Sequence, residues 1–299
     1  MTEKNDKTVA GEDALAEKKK GTEVEAETGW LWHLYLRLPS RSTGPFRYIR
    51  DFFTCLEFLT RIRVTKREEW FPDDFARSVP FFPWTGLVMG VLQWGALVVG
   101  LWLQLSGLLL GIFLTLTELF FLGTLMYDGF MDTCDGIFSG RTRARKLEIM
   151  QDSHVGANAV LGAVLLILGK VSLFAVLPVL GGGVALMTMY VLTRTLMTVY
   201  ILAFPNARPG GLGDMFRQGG SPRYLWLAVL SAVTLIYAVG GPEYLLLSAV
   251  AALGCLLLAW WVRSNLGGLT GDTFGFLTEL GGLLFLGILF SVARSALVP

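Results

Sequence analysis

Long apolar segments constrain this chain more than any other feature of its sequence. The hydrocarbon core of a bilayer needs about 20 predominantly apolar residues in one helix. Hydrophobic residues make up 53% of the 299 residues and charged residues 16%, and the mean hydropathy is +0.56, values too apolar for an ordinary soluble domain. We therefore predict an all-α, polytopic membrane helix bundle with about seven spans, at 84–103, 107–127, 159–177, 184–204, 224–240, 244–262 and 280–297.

Of the loops that join the predicted spans, only alternate ones contain lysine or arginine, and short cytoplasmic loops carry such a positive excess. This predicts a multi-pass protein of the cell inner (cytoplasmic) membrane with a cytoplasmic amino terminus and an external carboxyl terminus. Every polar loop of any length then falls on the cytoplasmic side, so we expect the active site there. The basic residues of these loops and of the segment just before the first span are Arg61, Arg63, Lys66, Arg67, Arg77, Arg141, Arg143, Arg145, Lys146, Arg208, Arg217, Arg223 and Arg263.

Composition divides the chain into three regions. Residues 1–29 contain eight acidic residues and five lysines, which predicts a disordered cytoplasmic tail. Residues 30–83 are predicted to form an amphipathic or cytoplasmic segment. Within it, apolar and charged residues alternate from Phe46 to Arg61, as in a helix lying on the membrane surface or one packed on the bundle. Residues 84–299 form the predicted transmembrane catalytic bundle.

Charge and cysteine content exclude some classes of function. The formal net charge of +1 gives no reason to bind nucleic acid, so the expected partners are membrane lipid and substrates. Cys55, Cys134 and Cys255 form no CxxC pair, which argues against a disulfide scaffold or a zinc site. The sequence leaves a homo-oligomer open.

The polar segment from Thr124 to Gly156 is the candidate site. Asp128, Asp132 and Asp135 fall within roughly 60° of one helix face. Such a group fits a hard divalent cation, Mg²⁺, with water positions that a phosphate can take. The alternative is a solvated acidic helix end. We expect Gly129 and Gly136, which directly follow two of the aspartates, to let a ligand approach the backbone.

A basic run follows the aspartates, and basic groups beside carboxylates suit a pyrophosphate. Arg141 and Arg145 are candidate substrate-binding residues, whereas Arg143 and Lys146 fit better with a topology signal. Asp152 could be a further metal ligand or only a helix-surface residue.

Three ionisable residues, Glu118, Lys170 and Arg194, interrupt apolar spans. Each costs about 2.5 to 3.5 kcal/mol facing lipid, so we expect all three to face the bundle interior. They could line a polar cavity in which Lys170 and Arg194 attract an anionic substrate, or Glu118 could pair with a cation to fix helix packing.

Two glycine-rich stretches, 205–220 and 265–275, each contain one carboxylate, Asp214 and Asp272. Backbone amides in such loops can bind a ligand. For 205–220 a flexible loop is an equal alternative, while GGLTGD at the mouth of a span is typical of a binding turn.

Several of these motifs resemble the cobalamin synthase family, the adenosylcobinamide-GDP ribazoletransferases of vitamin B12 assembly. The family signature is DGxxDTxDG followed by LEIMxDSxxG, and its lysine and arginine in the spans correspond to Lys170 and Arg194. Tyr127 stands where the family has a histidine, and Arg63 where it has a proline. The matching segments are FLTRIRV at 58–64, FFPWTGLVMG at 81–90, DGFMDTCDGIFSGR at 128–141, LEIMQDSHVG at 147–156, NARPGGLG at 206–213 and GGLTGDTFGFLTEL at 267–280.

The resemblance implies a transferase that joins adenosylcobinamide-GDP to α-ribazole or its 5′-phosphate, giving adenosylcobalamin or its 5′-phosphate plus GMP. Asp128, Asp132 and Asp135 would be catalytic and hold Mg²⁺, with Asp152 as a further ligand. Asp272 would contact the metal or the nucleoside. Arg141 and Arg145 would offset charge on GMP, while Lys170 and Arg194 would meet phosphate or corrinoid side chains.

Other classes fit fewer of the motifs. The D-x-x-D-G-x-x-A-R pattern of CDP-alcohol phosphotransferases is absent, and only one of the two carboxylate-rich loops expected of an intramembrane prenyltransferase is present. A transporter would explain Glu118, Lys170 and Arg194 but not the aspartates.

Overall fold

The computed structural model describes residues 46–65, 72–208, 212–217 and 221–297. All but 63–65 belong to one compact unit, a bundle of helices with no strand among the residues described. The predicted tail at 1–29 lies outside them. The helices are α1 (Phe46–Leu59), α2 (Pro72–Ser78), α3 (Phe82–Trp102), α4 (Gly107–Leu122), α5 (Leu125–Phe138), α6 (Arg143–Ile149), α7 (Ala157–Ala175), α8 (Gly182–Ala203), α9 (Leu212–Arg217), α10 (Pro222–Leu266) and α11 (Gly271–Leu297).

The predicted all-α membrane bundle is confirmed. Five helical segments in the described part of the chain are long and apolar enough to cross a membrane, and α4 with α5 makes a sixth if that bent pair counts as one span. The five are Asp73–Trp102, Ala157–Ala175, Gly182–Ala203, Pro222–Leu266 and Gly271–Ser295.

The span predicted at 107–127 is not one continuous helix. The chain bends by 101° between α4 and α5, and Gly123 at the bend has φ +79°, a conformation that costs glycine little. All three predicted aspartates therefore lie on a separate helix, α5, and not on a continuation of α4.

The 45-residue helix α10 is too long for one pass, since about 68 Å of helix would exceed a bilayer core twofold. Gly241, with φ +71°, interrupts it before Pro242. Near this break the Tyr244 hydroxyl donates to the Leu180 carbonyl, just before α8 begins (3.1 Å). The segments just before and just after α10 contact the other end of α8. Arg217, before α10, donates to the Phe204 carbonyl (2.8 Å), and the backbone amide of Leu269, after α10, donates to the Pro205 carbonyl (2.8 Å).

The chain of α10 therefore folds back and passes along the bundle twice, as the separate segments 224–240 and 244–262 predict. With the bent pair as one span, this arrangement is compatible with seven passes, and the count of seven stays a prediction.

Helix α1 packs on the bundle, which favours the second of the two alternatives for this segment. Its buried Cys55 accepts a hydrogen bond from Thr85 of α3 (3.0 Å). The buried Arg50 pairs with Asp74 of α2. Burial raises the pKa of the nearby Asp51 carboxyl, although arginines oppose the shift.

Candidate active site at one end of the bundle

Asp128 and Asp132 are one helical turn apart on α5 and open to their surroundings. Asp128 is exposed and Asp132 half-buried. Among the described residues, neither carboxylate has a hydrogen-bond or ion-pair partner. Both are therefore available to a ligand.

Asp135, the third predicted aspartate, has a different environment. Its two carboxylate oxygens accept hydrogen bonds from the Gly156 amide (2.6 Å) and the Ala159 amide (2.8 Å) at the start of α7. The first amides of a helix have no partner within the helix and carry partial positive charge. Asp135 thus caps α7 from a neighbouring helix, a contact that serves the fold.

Asp272 lies in the first turn of α11, and close packing of α11 on α5 brings it beside the aspartates. A Cβ atom added to Gly129 would lie 2.6 Å from the Asp272 carbonyl oxygen, and one on Gly275 would lie 2.5 Å from that of Met126. Gly129 thus allows a helix, rather than a ligand, to approach the backbone. Asp132 is within electrostatic range of Asp128, Asp272 and Arg208. We call Asp128, Asp132 and Asp272 the carboxylate face.

Arg208 is the cation next to the carboxylate face. Its Nη2 lies 3.7 Å from Asp272 Oδ2 and donates to the Leu147 carbonyl (3.2 Å). Nearby, Asn206 donates to Asp214 (2.6 Å). The sequence analysis did not select Arg208 or Asn206 as site residues, although the NARPGGLG motif contains both.

Two residues of the basic run contact the end of α10. Lys146 Nζ donates to Asn265 Oδ1 (2.9 Å). The Arg143 guanidinium lies directly against Gly267, where a Cβ atom would collide with it. Cations near a helix carboxyl terminus are stabilising, so these two side chains help to dock α6.

The other two residues of the run are exposed. The backbone amide of Arg141 donates to Ser139 (3.4 Å), and its side chain is open to solvent. Arg145 is paired with Glu148 at 2.7 Å, with both side chains about 60% exposed. Such a surface pair is weak and can exchange for a ligand.

Asp152 forms a local turn with exposed His154, which donates to it from the backbone (3.0 Å) and contacts it through Nδ1 (2.6 Å). These hydrogen bonds lower the pKa of the Asp152 carboxyl. Its role as a metal ligand stays a prediction.

Glu118, Lys170 and Arg194 face the bundle interior as expected, with at most 5% of each exposed. Lys170 Nζ contacts both Glu118 oxygens (2.9 Å each) and also pairs with Glu279. The Tyr190 hydroxyl donates to Glu118 (2.8 Å). The packing alternative for Glu118 is thus what the geometry favours.

Tyr127 directs its side chain into the same interior. Its hydroxyl donates to Glu118 (3.2 Å) and accepts from Lys170 (2.9 Å). Arg194 is close by, with its Nε near Met89 sulfur (3.3 Å) and its Nη1 unbonded within the described part of the chain. We call these residues and their neighbours the buried polar cluster: Glu118, Tyr127, Lys170, Tyr190, Arg194 and Glu279. The cluster contains equal numbers of acidic and basic groups.

Within the described residues, no three His, Cys, Asp or Glu side chains converge as a complete metal site. The carboxylate face offers oxygen donors only, which are the atoms that Mg²⁺ binds.

Comparison with known proteins gives a consistent assignment. The chain is 35% identical over 248 residues to an adenosylcobinamide-GDP ribazoletransferase of Desulfitobacterium hafniense, covering 80% of this chain and 95% of the relative. For proteins of the same name, identity is 33% in Klebsiella pneumoniae (80% and 98% covered) and 36% in a Roseiflexus species (85% and 92%). No solved structure is significantly similar to the chain. The pattern described as cobalamin-5-phosphate synthase (CobS) matches residues 51–290, and the chain therefore belongs to this family of transferases.

Proposed function

We propose that this protein joins adenosylcobinamide-GDP to α-ribazole or α-ribazole 5′-phosphate and releases GMP. The observation that carries the proposal is the carboxylate face: Asp128 and Asp132 extend from α5 beside Asp272, in two of the motifs that resemble the family. The names of the relatives support the same reaction.

In the proposed reaction a ribose hydroxyl oxygen of the ribazole attacks the phosphorus bonded to the cobinamide side. The bond from that phosphorus to the bridging oxygen of the pyrophosphate breaks, and GMP leaves with that oxygen. The hydroxyl proton passes to a carboxylate of the face or to water. Positioning of the two substrates supplies much of the acceleration in such transfers.

The carboxylate face fits Mg²⁺, because this ion is usually held by one or two carboxylates together with substrate phosphates. Asp128 and Asp132 would hold it, with Asp272 as the neighbouring donor. When bound, the ion would neutralise charge on the pyrophosphate. The geometry supports Asp135 less as a ligand, since both of its oxygens already accept backbone hydrogen bonds.

Cationic side chains would orient the pyrophosphate. Arg208 is the nearest to the face, through its 3.7 Å contact with Asp272. Arg141 and Arg145 are exposed and would reach GMP from solvent. We expect a smaller role for Lys170, whose charge is matched by Glu118 and Glu279.

The protein would lie in the cell inner (cytoplasmic) membrane with its amino terminus and the carboxylate face in the cytoplasm, where nucleotide substrates are found. The positive residues of the loops support this orientation.

The test is GMP release by purified protein in liposomes, given adenosylcobinamide-GDP, α-ribazole and Mg²⁺. Asp132→Asn should abolish release, while exposed Asp73→Asn should leave it intact. Turnover should require both Mg²⁺ and the ribazole. Absence of corrinoid product from folded wild-type protein would refute the proposal, and full activity in Asp132→Asn would refute the assigned site.

A further inference from the structure

A largely apolar pocket opens beside the carboxylate face. The space at this pocket, including the open solvent at its mouth, is about 440 Å³, and α1, α5, α8, α9 and α11 contribute to its walls. Its walls are formed by Phe58, Met126, Met197, Phe216 and Phe274, and Asp128 and Asp272 lie at one side.

The aromatic rings at one side of the pocket pack against one another. The Phe58 ring meets Phe216 with centroids 4.9 Å apart, and Phe216 in turn meets Phe75 at 5.3 Å. Phe216 is 2% exposed, whereas Phe58 is only partly buried. Phe58 therefore presents ring surface that a flat ligand can cover.

The polarity of the lining indicates which ring system fits. Apart from Asp128 and Asp272, every described side chain that lines the pocket is apolar, and the other described lining residues are glycines. Guanine could donate from its N1–H and amino group to Asp128 or Asp272, but its O6 and N7 acceptors would find no donor among these side chains, and burying unpaired acceptors costs free energy. The base of α-ribazole is a dimethylated benzimidazole, whose outer edge is hydrocarbon and loses nothing there.

The position of the pocket fits the same ligand. A nucleoside whose base lies against Phe58 would have its sugar towards Asp128 and Asp272, which line the same pocket. The acceptor's hydroxyl must be near these carboxylates for attack. A base in this pocket therefore brings the reacting oxygen to the right place.

We propose that this pocket binds the benzimidazole of the acceptor nucleoside and so selects apolar bicyclic bases. The inference rests on the proposed function, and it assigns the base of the acceptor nucleoside to the pocket beside the carboxylate face. Guanosine of the donor binds elsewhere, towards the exposed arginines.

The test compares Michaelis constants of the two substrates in liposome-reconstituted full-length protein. Phe58→Ala removes the accessible ring, and Met197→Trp fills the pocket. Base stacking on an aromatic side chain is worth about 1 to 3 kcal/mol, so the KM for α-ribazole should rise about five- to 150-fold. The KM for adenosylcobinamide-GDP should stay within about twofold. Phe53→Ala, on the same helix but outside the pocket, should change neither.

A second measurement does not depend on turnover. Free dimethylbenzimidazole should compete with α-ribazole in equilibrium dialysis with wild-type protein, and guanosine should not. This competition should weaken in Met197→Trp even if Phe58→Ala fails to fold.

The outcomes separate this inference from the proposed function. A wild-type protein that makes no corrinoid product refutes the proposed function. A wild-type protein that turns over refutes the pocket assignment if the variants leave the ribazole KM unchanged, raise both KM values equally, or raise only that of adenosylcobinamide-GDP.

Discussion

The buried polar cluster and the carboxylate face lie on some of the same helices but use their charges differently. In the cluster, Lys170 meets Glu118 and Glu279, so these three charges are partners of one another. On the face, carboxylates converge, and Arg208 is the nearest cation in the described part of the chain. The comparison indicates two roles for charged side chains in an apolar protein. Paired side chains hold helices together, and unpaired side chains are available to bind ligands. Stability and activity measurements should separate the two regions.

The largest effect on stability should come from Lys170→Met. Removing one partner of a buried ion pair costs about 3 to 5 kcal/mol, and here two carboxylates lose their shared cation. The unfolding midpoint in detergent should fall strongly by scanning fluorimetry. Lys146→Met, at a half-exposed lysine bonded to Asn265, is the control. Equal midpoints for the two variants would show that the cluster does not hold the bundle together.

Asp135→Ala should have an intermediate effect. The amides of Gly156 and Ala159 lose their acceptor, and loss of a helix cap costs about 0.5 to 2 kcal/mol. Asp128→Ala at the exposed position should cost much less. If denaturant unfolding shows the same loss for both, Asp135 is no more structural than Asp128.

Asp132→Asn should have a small effect of the opposite sign. Asp132 lies near Asp128, Asp135 and Asp272, so neutralising it relieves repulsion and should raise stability by less than about 1 kcal/mol. The same variant should be inactive. A marked loss of stability would mean that the face, like the cluster, is needed for folding.

Asp51 of α1 is an intermediate case, buried yet 3.5 Å from Arg77. Because burial raises its pKa, the folded state binds its proton more tightly than the unfolded state. Its contribution therefore makes stability fall as the pH rises from about 4. Asp51→Asn should flatten this part of the curve of unfolding midpoint against pH. A steeper fall in the variant would contradict the shift.

The helices were predictable because length and apolar composition are local properties. Both halves of α10 were expected, since GGPE separates two apolar runs. The bend at Gly123 was missed because the apolar run continues through it, and only the backbone angle of +79° shows the break.

The site was predictable in its residue types but less so in its contacts. Asp135 shares a helix face with Asp128, and helical periodicity shows only that. Its hydrogen-bond partners, the amides of Gly156 and Ala159, lie 21 and 24 residues later in the chain at the start of α7. Glu279 was overlooked because the predicted span began at 280. Its position seven residues after Asp272, on the same face of α11, was the available signal.

One short contact joins the two glycine-rich loops. Asn206 and Leu269 form an isolated parallel bridge, with the Ala207 amide donating to the Leu269 carbonyl (2.8 Å). A Cβ atom on Gly268 would lie 2.5 Å from the Ala207 nitrogen. The loop that carries Arg208 and the loop that precedes Asp272 therefore pack closely against each other, with no room for a side chain at Gly268. A chimaera that takes one of them from a relative should lose activity, and exchanging both together should restore it.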